Sequence, residues 1–140
     1  MARALVGLAV LAAALPGCGT ESSQRRGIGE VESALRTAGL RICATPEAGK
    51  PPQSADRERA FVVAIDCADE DDQAVVAVIE WPDDDARDAA LRRFEVYAHP
   101  TTRSHGTTFA LGRLTISVSG ERDDAVVGRV AAAMDDLGAS

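Results

Sequence analysis

The sequence predicts an α+β domain: an antiparallel sheet of about five strands with helices on one face. Three observations carry that expectation. Apolar residues recur alternately with helical and strand periods, in the order α-β-ββ-α-ββ-α. No parallel βαβ run with a Gly-rich turn is present, so a dinucleotide fold has no support. A chain of 140 residues with 46% hydrophobic and 26% charged residues suits one globular domain rather than disorder.

The first helix follows from Ile28, Val31, Leu35 and Ala38, which form one apolar stripe. Glu32 and Arg36 stand at the favourable i,i+4 spacing, and Gly39 is placed to end the helix. A short strand over Arg41–Ala44 comes next. Thr45–Arg59 contains three Pro and one Gly without a period and reads as an exposed loop.

Ala60–Cys67 alternates, with Phe61, Val63, Ile65 and Cys67 sharing a face. Asp69–Asp72 is a polar turn, and Gln73–Trp81 returns with Val75, Ala77, Ile79 and Trp81 on one side. The pair reads as a central antiparallel hairpin.

Pro82 stops that strand, and Asp83, Asp84 and Asp85 supply an N-cap and first-turn carboxylates for a helix running to about Ala98. Ala90, Leu91, Phe94 and Tyr97 are its expected inward residues, with Asp88 and Arg92 spaced as an ion pair.

Thr107–Leu111 and Arg113–Ser119 flank Gly112 as a second hairpin. A last helix buries Val126, Val127, Val130, Met134 and Leu137 and stops at Gly138. Two successive ββα units hint at a pseudo-repeat, and a circularly permuted ferredoxin-like arrangement is the nearest named analogy.

Charge excludes some functions. With 15 Lys+Arg against 22 Asp+Glu, the net charge of −7 is wrong for neutralising phosphates, so no nucleic-acid partner is expected. Aromatic residues make up 4%, which leaves no stacking platform for bases. Lys50 is the single lysine, so there is no Lys-rich stripe for a membrane surface.

The beginning of the chain is more specific. Arg3 precedes an unbroken apolar run of 12 residues, Ala4–Leu15, too short for a bilayer-crossing helix and right for the apolar core of an export signal. Leu15-Pro16-Gly17-Cys18 follows. This tetrapeptide resembles the lipobox of bacterial lipoproteins, in which Leu and a small residue precede an invariant Cys. The resemblance implies that residues 1–17 are a signal peptide and that the thiol of Cys18 becomes a diacylglyceryl thioether at the new amino terminus. Two or three acyl chains, at about 0.8 kcal/mol per buried CH₂, anchor stably where one does not. The expected location is the extracytoplasmic side of a cell membrane, and the expected partner of Cys18 is that membrane. Gly19–Gly27 is small, polar and aperiodic, so residues 18–27 read as a tether and 28–140 as the domain.

In an exported domain, Cys43 and Cys67 invite one bridge between neighbouring strands. Closing a loop of about 25 residues stabilises by roughly 3 kcal/mol in the chain-entropy account.

Catalytic constellations are harder to find. Asp69, Asp71, Gln73 and Glu80 fall at positions of a calcium loop, but Ala74 stands where that loop needs Gly, so a solvated turn is the expectation. His99 and His105 lack the companion spacing of a zinc site, and no metal or other cofactor is expected. No nucleophile elbow, P-loop or S-x-x-K motif is present. Trp81, Arg93 and Tyr97 are the candidate lining of a ligand groove at one end of the sheet. The expected role is a binding or interaction module. The alternatives are a small envelope enzyme of hydrolase type and a structural subunit of an envelope complex, either with an envelope protein or a small ligand as partner.

Overall fold

A computed structural model of the chain describes residues 26–47, 51–97, 106–119 and 124–140. Its elements are α1 (Ile28–Thr37), β1 (Arg41–Ala44), β2 (Arg57–Ala64), β3 (Ala74–Glu80), α2 (Asp84–Tyr97), β4 (Gly106–Leu111), β5 (Leu114–Ser119) and α3 (Ala125–Asp136). One 3-10 turn, Glu70–Asp72, sits in the β2–β3 connection. The five strands form one sheet in the order β1-β2-β3-β5-β4, every neighbouring pair antiparallel. The α+β class and the element order are those the periodicity predicts.

Alternation decides which face of the sheet is covered. Phe61 and Val63 of β2, Val76 and Val78 of β3, and Leu114, Ile116 and Val118 of β5 are all fully buried or nearly so. They meet across the strands, Phe61 opposite Val76 and Val78 opposite Ile116. Onto this face α1 brings Val31 and Leu35, and α3 brings Val126, Val130 and Met134. These residues form one apolar cluster, the main driving force for folding.

Both helices end the same way. After α1, the Gly39 amide donates to the Arg36 carbonyl and the Leu40 amide to the Leu35 carbonyl. After α3, Gly138 donates to Asp135 and Ala139 to Met134. This is the Schellman pattern, which needs a left-handed residue at its bend, and Gly39 and Gly138 both have φ of 80°. Asp124 begins α3, its side chain accepting from the Val126 amide. The expected Glu32–Arg36 pair forms at 3.1 Å on α1.

Helix α2 is capped as its sequence predicts, Asp83 Oδ1 accepting from the Ala86 amide at 2.7 Å. It docks against β5, and its buried Ala90 lies outside the cluster shared by α1 and α3. The helical layer over the main core is therefore α1 with α3. Asp88 is bonded by its neighbour Arg87 rather than by Arg92, which is exposed. The side chains of Phe94 and Tyr97 lie outside the described residues, as do His99 and His105.

The bounds of the central hairpin are corrected. Strand β2 starts at Arg57 rather than Ala60 and ends at Ala64, so Ile65 is exposed and Cys67 sits in the following turn. Arg57, Glu58 and Arg59 look like loop residues in isolation. They become strand because Arg57 lies opposite Glu80 and Arg59 opposite Val78 on β3. On β3 the covered residues are Ala74, Val76, Val78 and Glu80, while Val75 is exposed.

Cys43 and Cys67 are joined by a disulfide with Cα atoms 5.4 Å apart. The bond ties edge strand β1 to the β2–β3 connection and spans the Pro-rich loop.

Candidate functional site

The last core-facing residue of β3 is Glu80, which is 2% exposed. Alternation leaves no choice: a residue in phase with Val76 and Val78 points into the covered face. A buried carboxylate needs partners, and two neighbouring elements supply them. Arg57, across the ladder, places Nε and Nη2 each 2.9 Å from Glu80 Oε2. Arg113, in the β4–β5 turn, donates through Nη2 to Glu80 Oε1. Arg113 Nη1 also lies 3.7 Å from Asp56 Oδ2. Both carboxylate oxygens therefore face guanidinium groups.

The same turn is held from α2. Arg87 donates to the Gly112 carbonyl and bonds Asp88. Gly112, with φ of 52°, takes the first of the two turn positions, where a positive φ favours glycine.

Trp81 follows Glu80 and points the other way. It is 4% exposed, and its Nε1–H donates to Thr115 Oγ1 at 3.1 Å. Of the expected groove residues, Trp81 thus has its polar edge engaged inside the fold. Arg93 is exposed on α2, and the Tyr97 side chain lies outside the described residues.

A cleft of about 370 Å³ opens between α1 and α3. Ala34, Ala38, Ala133 and Leu137 give it apolar walls, and Glu30, Ser33, Thr37 and Asp136 give it polar ones. Glu30 Oε2 is buried without a hydrogen-bond partner among the described residues, the nearest cation being Arg26 Nη1 at 3.8 Å. The Thr37 hydroxyl donates to the Ser33 carbonyl. The opening exists because small side chains face each other where the helices meet, so neither fills the space.

Sequence reasoning did not single out Glu80 with Arg57 and Arg113, nor the cleft. The signal for the first was its phase with Val76 and Val78; for the second, alanines on both helices. The acidic residues weighed as a calcium loop are not brought together: Asp69 caps the 3-10 turn through the Asp71 amide, while Glu80 is held in the sheet by arginines. Among the described residues no helix is long and apolar enough to cross a membrane.

No protein-family model matches the chain, and neither a curated protein nor a solved structure matches it.

Proposed function

We propose that this chain is a lipid-anchored cell-envelope lipoprotein whose domain acts as a binding or interaction module on the extracytoplasmic side. The observation that carries the reading is the sequence Leu15-Pro16-Gly17-Cys18 directly after a 12-residue apolar run. In it, Cys18 supplies the thiol for a diacylglyceryl thioether, residues 1–17 are removed, and the polar residues up to Gly27 tether the domain. The Cys43–Cys67 bond is compatible with an oxidising compartment, where structural disulfides persist. The α1–α3 cleft lies within the range of small-molecule sites and supports binding as the role. A permuted ferredoxin-like arrangement rests on the order of the elements as an analogy.

Intact-mass analysis of the wild type and of Cys18→Ala, both taken from membrane fractions with and without reductant, tests the reading. The wild type is expected to lose residues 1–17 and gain acyl mass. Cys18→Ala is expected to keep its leader and lack the acyl mass. A wild-type chain recovered uncut and unacylated overturns the proposal.

A further inference from the structure

The cleft between α1 and α3 is polar at one end and apolar along the rest. Arg129, early in α3, reaches the carbonyl of Ala38 just after α1 at 3.5 Å, so the two helices run antiparallel. The last turn of α3 therefore lies beside the first turn of α1. Glu30 and Asp136 mark that end of the cleft, and Ala34, Ala38 and Ala133 wall the remainder.

Charge at the polar end is not balanced. The Glu30 side chain is 38% exposed and so can be reached, yet its Oε2 is buried and accepts no hydrogen bond among the described residues. Arg26 Nη1 stands 3.8 Å from that oxygen, too far to donate to it. Asp136 has no ion pair among the described residues. Arg129 is at the far end, on the Ala38 carbonyl. Two carboxylates thus share one guanidinium, and the C-terminus of α3 adds the negative end of its dipole.

The other polar groups select in the same sense. The Thr37 hydroxyl gives its proton to the Ser33 carbonyl, which leaves its oxygen only to accept. Among the described residues no Lys, Arg or His lines the cleft. An anion there would meet two carboxylates and no charged donor, whereas an N–H cation meets acceptors at every polar position.

We propose that this cleft binds a small organic ammonium ion, its N–H groups on Glu30 and Asp136 and its hydrocarbon body on the alanine methyls. The proposal rests on reading the domain as a binding module and names the chemical class its cleft takes. A primary amine suits it better than a quaternary one, because only an N–H satisfies the unpaired Glu30 oxygen. At about 370 Å³ the cleft is near the lower bound of small-molecule sites, which favours a body the size of one ring.

Cyclohexylammonium, cyclohexanecarboxylate and cyclohexanol share one body and differ in the head group. Each is titrated into the full chain in nonionic detergent, with isotope-labelled alanine methyl groups observed by NMR. Cyclohexylammonium is expected to shift Ala34, Ala38 and Ala133 saturably, while the exposed Ala68 methyl reports any effect on the detergent. Glu30→Gln keeps the shape and loses the charge, and is expected to weaken binding at least about tenfold, the scale of a charge-assisted hydrogen bond. Asp136→Asn, at an exposed position, is expected to weaken it about two- to threefold. Binding of the carboxylate or the alcohol as tight as that of the ammonium overturns the ligand class and leaves the cleft a binding site. Unchanged affinity in Glu30→Gln does the same. No saturable shift at the cleft methyls with any probe overturns the site itself. None of these results alters the acylation of Cys18, which the intact mass reads separately.

Discussion

Trp81 and Thr115 are joined by a buried hydrogen bond from the indole Nε1–H to the hydroxyl Oγ1 at 3.1 Å. The two residues are 4% and 2% exposed; Trp81 directly follows β3 and Thr115 lies near the start of β5, and the Trp81 amide also donates to the Arg113 carbonyl. The bond explains why a threonine tolerates burial there, since a hydroxyl removed from water without a partner is costly.

Thr115→Val keeps the shape of that site and removes its acceptor, leaving the indole N–H unpaired. The expected loss is about 1–3 kcal/mol. Thermal unfolding followed by the fluorescence of the single tryptophan measures it. Trp81→Phe together with Thr115→Val is expected to cost less than the sum of the two single changes, because the polar pair is then removed as a unit.

Around Glu80, the two arginines are not equivalent. Arg113 is 26% exposed and Arg57 70%, and they share one carboxylate that is 2% exposed. Arg57→Ala is expected to cost about 1–2 kcal/mol, because it strips both donors from the buried Glu80 Oε2 while the lost guanidinium is itself largely solvated. Arg113→Ala is expected to cost about 2–3 kcal/mol, since it strips the more enclosed partner from a buried charge. Urea denaturation of both variants gives the order directly.

Asp124→Ala removes the side-chain acceptor for the Val126 amide at the start of α3. A loss of about 1 kcal/mol is expected. Asp124→Asn is expected to retain most of it, because an amide oxygen also accepts. Melting temperatures of the two variants separate a cap from a general charge effect.

Replacing Cys43 and Cys67 together by Ala opens the cross-link over a sequence separation of 24. About 3 kcal/mol of stability is expected to go with it. Wild type in reductant is expected to unfold at the temperature of the double variant, while oxidised wild type unfolds several degrees higher. Thiol labelling before and after reduction establishes which form each melt reports.

The sequence makes the central hairpin visible but not its bounds. Phe61 and Val63 alternate clearly, and the structure buries both. Arg57 and Arg59 carry no such signal. They enter the strand through partners on β3, a contact at long sequence separation that no local window contains. Glu80 shows the converse: its phase places it inward, yet only the arrival of Arg57 from one side and Arg113 from the other makes burying it tolerable. The α1–α3 cleft depends likewise on how two distant helices meet.

Determined by sequence alone were the α+β class, the order of elements, the caps at Asp83 and Gly39, and the two cysteines available to pair. Each rests on periodicity, backbone preference or covalent chemistry, which act within a few residues or on composition. Tertiary structure decided which face of β3 is covered, where β2 begins and what neutralises Glu80. Those outcomes depend on which strands become neighbours, and neighbours in the sheet are set by packing the whole chain at once.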